Sequence, residues 1–285
     1  MSRAWIRGLA VAAAGVALAL IPESADAQWP VGKGEYWAKM SVFSHSTTEQ
    51  FRADREKRPF LNSNAESHAR ALFLDGLVGV TDRLDVWLQV PYFELEFNDD
   101  VDDRRSTGIG DIRMSARYNL IQLLDGGLPI SARFTAKAPI VDFPIDAEVI
   151  PVGEGQWDYE AWLEAGVSLW PLPAYSVVWL GHRWRAMNSE TTRDPGDEFM
   201  FLAELGVTGR VGGKVVLDGI FGGTGAIQGI QVSSDQREIL YVQPTLTVQV
   251  TPSLIIEAGS RIPMMGRNFP AGRQWTVALF HQSGG

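Results

Sequence analysis

The chain of 285 residues has no cysteine. A disulfide framework and thiolate chemistry are therefore excluded. Histidine is scarce, with four residues, and no His cluster has metal-ligand spacing. Positive charge is in deficit, with 25 Lys and Arg against 34 Asp and Glu. A net charge of −9 argues against a nucleic-acid partner. Long apolar runs are missing after the first few dozen residues, and so is any sustained 3.6-residue periodicity. Neither a membrane-spanning helix nor a helical bundle is expected from such a pattern.

The one apolar run stands at the N-terminus. Arg3 and Arg7 precede Leu9 to Ile21, and Ala25-Asp26-Ala27 follows before Gln28. A basic start, a short apolar stretch and a small-x-small site form the pattern of a secretory signal peptide. Residues 1–27 are read as that peptide and 28–285 as the mature domain. Gln28 in place of a cysteine implies no lipid anchor.

What is abundant is two-residue alternation. In Thr107 to Leu120, Ile112, Met114, Ala116, Tyr118 and Leu120 alternate with Asp111, Arg113, Ser115, Arg117 and Asn119. Side chains alternate sides along a strand, so one face is apolar and the other charged. About twelve such segments follow one another, each long enough to cross a bilayer when tilted. Their connections alternate short and long. Thr81–Arg83, the turn near Asp125, Pro171–Ala174, Val211–Gly213 and Thr251–Ser253 are short; Thr48–Ala65, Asn98–Thr107, Ile140–Gln156, Asn188–Asp197, Ala226–Arg237 and Gly266–Arg273 are long. This rhythm is that of an up-and-down transmembrane antiparallel β-barrel with tight inner turns and long outer loops. The fold class is all-β, about twelve strands, with the apolar faces toward lipid and the charged faces toward a lumen. The last segment, Trp275 to Phe280, is compatible with either face outward, and its register stays open.

By strand parity the lumen receives Lys39, Asp85, Asp111, Arg113, Arg117, Arg133, Lys137, Asp158, Glu160, Glu164, Arg183, Arg185, Glu204, Asp218, Glu257 and Arg261. Trp37, Trp87, Trp162 and Trp179 share that phase. Buried charges must be paired or wet. The set is either a salt-bridged filling or a polar path in which Arg113, Arg117 and Arg133 meet anionic solutes. The tryptophans either fill the lumen or offer a surface on which aromatic rings slide. The loop Ile140–Gly155 is unusually apolar, and Phe143, Pro144 and Ile145 are the expected tip of a gate. Asn98 to Arg105 is acidic then basic, a solvated loop or a divalent-cation site beside lipopolysaccharide.

Three stretches resemble the outer-membrane transporter family of the meta-pathway of phenol degradation. They are Gly108 to Leu120 (GIGDIRMSARYNL), Val152 to Trp170 (VGEGQWDYEAWLEAGVSLW) and Leu254 to Asn268 (LIIEAGSRIPMMGRN). The resemblance implies a barrel that passes hydrophobic or aromatic compounds inward. Three expectations follow. The first is a monomeric channel in the outer membrane of a Gram-negative bacterium, in contact with lipid, lipopolysaccharide and a small-molecule solute, without cofactor or metal. The second is a non-conducting structural or surface-interaction barrel. The third is an outer-membrane lipid-modifying enzyme with a Ser and a His on one outer surface. Against the third, Ser44 and Ser46 flank His45 and so point to the opposite face. Non-enzymatic passage is the reading adopted.

Overall fold

The structure is a computed structural model that describes residues 30–124, 127–141 and 149–283. The signal-peptide residues 1–27 lie outside the described residues, as do Phe143, Pro144 and Ile145 of the expected gate and Asp125 of one turn.

Twelve barrel strands run in chain order. They are β1 Tyr36–Thr47, β2 Glu66–Thr81, β3 Leu84–Asn98, β4 Ile112–Leu123, β5 Leu128–Ala138 and β6 Asp158–Ser168, then β7 Ala174–Arg185, β8 Glu198–Val207, β9 Val211–Gly222, β10 Glu238–Thr251, β11 Leu254–Arg267 and β12 Gln274–Gln282. Each pairs antiparallel with its sequence neighbours, and β12 pairs with β1, from Trp37 opposite Gln282 to His45 opposite Gln274. Closure leaves no open edge, which hydrocarbon requires of any sheet that crosses it.

The barrel is inside out relative to a soluble sheet. On β4 the apolar Met114, Tyr118 and Leu120 are exposed, while Ser115 and Asn119 are buried. Phe134, Leu163, Val178 and Leu246 likewise face out. The buried polar set is larger than the buried apolar one and includes Asp85, Arg133, Lys137, Asp158, Glu160 and Arg183. Its apolar cluster is small, formed by Phe51, Ile239, Tyr241 and Ala271 at the outer end.

Strands on one side rise above the others. Asp103–Ile109 continues to pair with β3, so the expected long loop Asn98–Thr107 shrinks to a tight turn with Asn98 opposite Asp103. The chain then breaks at Gly110 and resumes as β4. A Cβ on Gly110 would lie 2.5 Å from the Phe93 ring, so this step fits glycine alone. The carboxylates of the turn build the turn itself. Asp99 accepts from Val101 N at 2.8 Å and Asp102 N at 3.0 Å and pairs with Arg104, and Asp100 accepts from Asn64 at 2.8 Å.

The register left open in the sequence is decided by both neighbours of β12. Gln274, Thr276, Ala278 and Phe280 line the interior, and Trp275, Val277 and Leu279 face out. Phe280 packs on Trp37 at 5.6 Å between ring centres.

Candidate functional site

Cross-strand register sets which lumen side chains meet. One row runs Asp85, Arg117, Arg133, Trp162, Gly181 across β3 to β7. Directly opposed side chains lie about 5 Å apart at Cβ, and diagonal ones about 7–8 Å, within reach of an arginine. Arg117 accordingly donates to Asp85 at 2.6 Å, and Arg133 reaches the diagonal Glu164 at 2.5 Å. Gly181 makes room for its neighbour, since a Cβ there would sit 2.4 Å from the Trp162 ring. Trp162, Trp179 and Trp87 then surround the Arg133 guanidinium at 5.0, 4.8 and 5.3 Å, each a cation–π distance.

Toward the outer end the charges form a continuous network. Glu160 accepts from Arg183 at 2.7 Å, from Trp162 Nε1 at 2.8 Å, and from Arg113. Arg183 also donates to Glu198 at 2.6 Å, and Glu198 pairs with Arg237. Lys137 touches Asp158 at 2.8 Å and Asp111 at 3.1 Å. Apart from this network, Arg261 pairs with Asp218 at mid-barrel and lies over the Tyr241 ring at 3.9 Å. Toward the inner end, Lys39 and Lys214 share Glu257, at 2.7 and 3.1 Å. Pairing is what makes so many ionised groups tolerable at low exposure.

Glu154 locks this network to a loop. It lies between β5 and β6, and its carboxylate accepts from Lys137 at 2.5 Å, Arg185 at 2.7 Å and Arg237 at 2.8 Å. Its own N–H donates to Asp111 at 2.9 Å, and Asn188 donates to its carbonyl at 3.0 Å. The described part of the long apolar loop is thus drawn into the mouth of the barrel. Burial alone would raise the Glu154 carboxyl, but the charges of Arg237, Arg185 and Lys137 outweigh it and hold the group well below the usual carboxylate range. A depressed value means the contact is at full strength above the ordinary carboxylate range and is lost only as pH falls through the depressed value. Conductance and heat-modified gel mobility are therefore expected to stay flat from about pH 8 to about pH 5. A step in either property near pH 4.5–5 that Glu154→Gln abolishes would show that Glu154 titrates normally.

Beneath this mouth lies a cavity of about 740 Å³. Its wall is two-sided. β1, β2, β3 and β12 contribute Trp37, Phe43, Phe73, Phe93 and Phe280, whereas β4 to β7, β9 and β11 contribute most of the charge. Trp37 meets Trp87 edge-on at 5.4 Å and Phe73 meets Phe93 at 5.8 Å, so the aromatic wall is joined within itself.

Of the sequence candidates, Arg113, Arg117, Arg133, Glu160, Glu164, Arg183, Glu257, Arg261, Trp87 and Trp162 line this cavity. Asp111, Lys137, Asp158 and Arg185 belong to the outer network above it. Glu198, Arg237 and Glu154 are further members. Parity with Glu204 signals Glu198; Glu154 is in a loop and has no parity to read. On β1, His45 is buried inside, and Ser44 and Ser46 are exposed on the other face. Ser46 stands opposite His68, and its hydroxyl donates to Glu66 at 3.3 Å.

With this geometry established, known proteins give it a context. Residues 59–278 match the family described as "Putative MetA-pathway of phenol degradation". The chain belongs to that family. No curated protein matches it in sequence. Among solved structures, an outer membrane channel from Pseudomonas putida F1 is 14% identical with a TM-score of 0.78, over 91% of this chain and 99% of that one. The NanC porin is 7% identical with a TM-score of 0.52, over 85% and 98%. The translocator domain of the autotransporter NalP from Neisseria meningitidis is 9% identical with a TM-score of 0.50, over 96% and 97%. At these identities the likeness is one of fold. The family member described here is a closed barrel of twelve antiparallel strands, of the outer-membrane type.

Proposed function

We propose that this barrel is an outer-membrane channel through which small hydrophobic or aromatic solutes pass down their gradient. Residues 1–27 direct export and are removed, and the rest resides as a monomer in the outer membrane of a Gram-negative cell. The observation that carries the reading is the cavity of about 740 Å³, closed by a complete barrel and walled on one side by aromatic rings. That size suits a small ligand, and rings supply offset and edge contacts to a passing aromatic without holding it by many polar bonds. Family membership points the same way. The lumen supplies passage and selection; no covalent step is involved.

The test is uptake of labelled phenol and of labelled glucose into liposomes bearing the refolded barrel. Phenol equilibration faster than in empty liposomes, with little gain for glucose, is the expected result. Rates equal to empty liposomes for both solutes, from protein shown to be folded by heat-modified mobility, would defeat the proposal. The extensive ion pairing of the mouth favours a second reading, a barrel that serves as structure or surface without conducting, and that outcome would establish it.

A further inference from the structure

We propose that the cavity selects anionic aromatic solutes, typified by aromatic carboxylates, over neutral or cationic ones. The inference rests on the channel reading and names its substrate class. The first observation is a reversal of charge. The whole chain carries −9, yet among the described residues seven lining side chains are Lys or Arg and five are Asp or Glu. The second is the order of the ion pairs on the wall. Arg113 has 27% of its side chain exposed while its partner Glu160 has 1%. Arg261 has 28% against 16% for Asp218, and Lys39 has 29% against 15% for Glu257. Arg117 over Asp85 and Arg183 over Glu198 follow the same order, at lower exposure.

In each pair the carboxylate is set back in the wall and the cation fronts the cavity. Inside the cavity a solute therefore meets the positive end of each of these five pairs first, and the carboxylate serves to hold the cation in place; at the mouth the order is the reverse, with Glu154 34% exposed against 5% for Lys137 and 2% for Arg185. Guanidinium groups have donors to spare for a carboxylate after one ion pair is made, and they present them in a fixed plane. The strands that run between Arg261 on β11 and Arg113 on β4, through the closure of the barrel, carry Phe43, Phe73 and Phe93. An aromatic acid satisfies both walls at once, with its ring on the aromatic side and its carboxylate on Arg113 or Arg261. A neutral aromatic makes the ring contacts but leaves the guanidinium donors unused, and an aromatic cation is repelled by them.

The experiment is planar-bilayer recording of the full mature chain under a KCl gradient, followed by titration with benzoate, benzyl alcohol and benzylamine. The expected result is a reversal potential of anion-selective sign, and reduction of current by benzoate at about tenfold lower concentration than by either analogue. Arg113→Gln is expected to remove most of that tenfold preference. Arg261→Gln, on β11, serves if heat-modified mobility shows the first variant unfolded. A cation-selective reversal potential, or equal potency of benzylamine, overturns this inference and leaves the channel reading standing. Absence of any conductance from folded protein, together with absence of phenol uptake, overturns the channel reading itself and this inference with it.

Discussion

Glu160→Ala is expected to destabilise the barrel by about 3–5 kcal/mol, the usual cost of removing one partner from a buried ionic cluster. Glu160 is 1% exposed, and Arg113, Arg183 and Trp162 Nε1 converge on its carboxylate. Without it, Arg183 keeps Glu198 alone, and Arg113 keeps its charge in a crowded cation neighbourhood that includes Arg133 and Arg183. Little else compensates, because the buried apolar set of this barrel is small. Glu160→Gln should fall between the two, since an amide oxygen still accepts a hydrogen bond but carries no charge. Glu56→Ala, which removes an exposed partner of Arg58, is the control and should leave the midpoint unchanged. Urea unfolding in lipid vesicles, followed by tryptophan fluorescence, measures all three. A loss under about 1 kcal/mol for Glu160→Ala would mean the lumen is wet enough to screen these charges as water does at a surface.

Glu154→Ala is expected to open the outer mouth. The carboxylate is the shared acceptor of Lys137 and Arg185, from the outer ends of β5 and β7, and of Arg237, the residue before β10. Removing it leaves three cations clustered with fewer acceptors, so the surrounding charge then disfavours the seated loop as well as ceasing to hold it. Each charge-assisted hydrogen bond lost is worth about 1.5–3 kcal/mol, so the seated population should fall by more than about tenfold. Single-channel conductance of the variant should rise several-fold over wild type, with more frequent transitions between levels. Asn188 to the Glu154 carbonyl and the Glu154 amide to Asp111 survive the substitution. Unchanged conductance from folded Glu154→Ala protein would show that these backbone contacts suffice to seat the loop.

Much of this molecule was readable as pattern. The alternation in Ile112 to Leu120 announces both a strand and its two faces, because the pleat turns successive side chains to opposite sides wherever the strand finally pairs. The same parity reaches Glu160, Arg133 and Trp162 on other strands, and the rhythm of short and long connections implies an up-and-down barrel. These are local properties of the chain, so the sequence alone determines them.

Partner choice is another matter. That Arg133 meets Glu164 and three indoles depends on the stagger between β5, β6 and β7, and that Glu160 is shared by Arg113 and Arg183 depends on the curvature that brings β4 and β7 to one side of the lumen. The last strand shows the division most plainly. Gln274–Gln282 reads equally well with either face out until β1 and β11 fix its register and turn Phe280 onto Trp37. Glu154 had no strand parity at all, and only the fold carries it from a loop into the mouth. Alternation is written one residue to the next, whereas shear, closure and loop docking are set by residues far apart in the chain, so the face of a strand is legible in the sequence and its partners are decided only when the barrel closes.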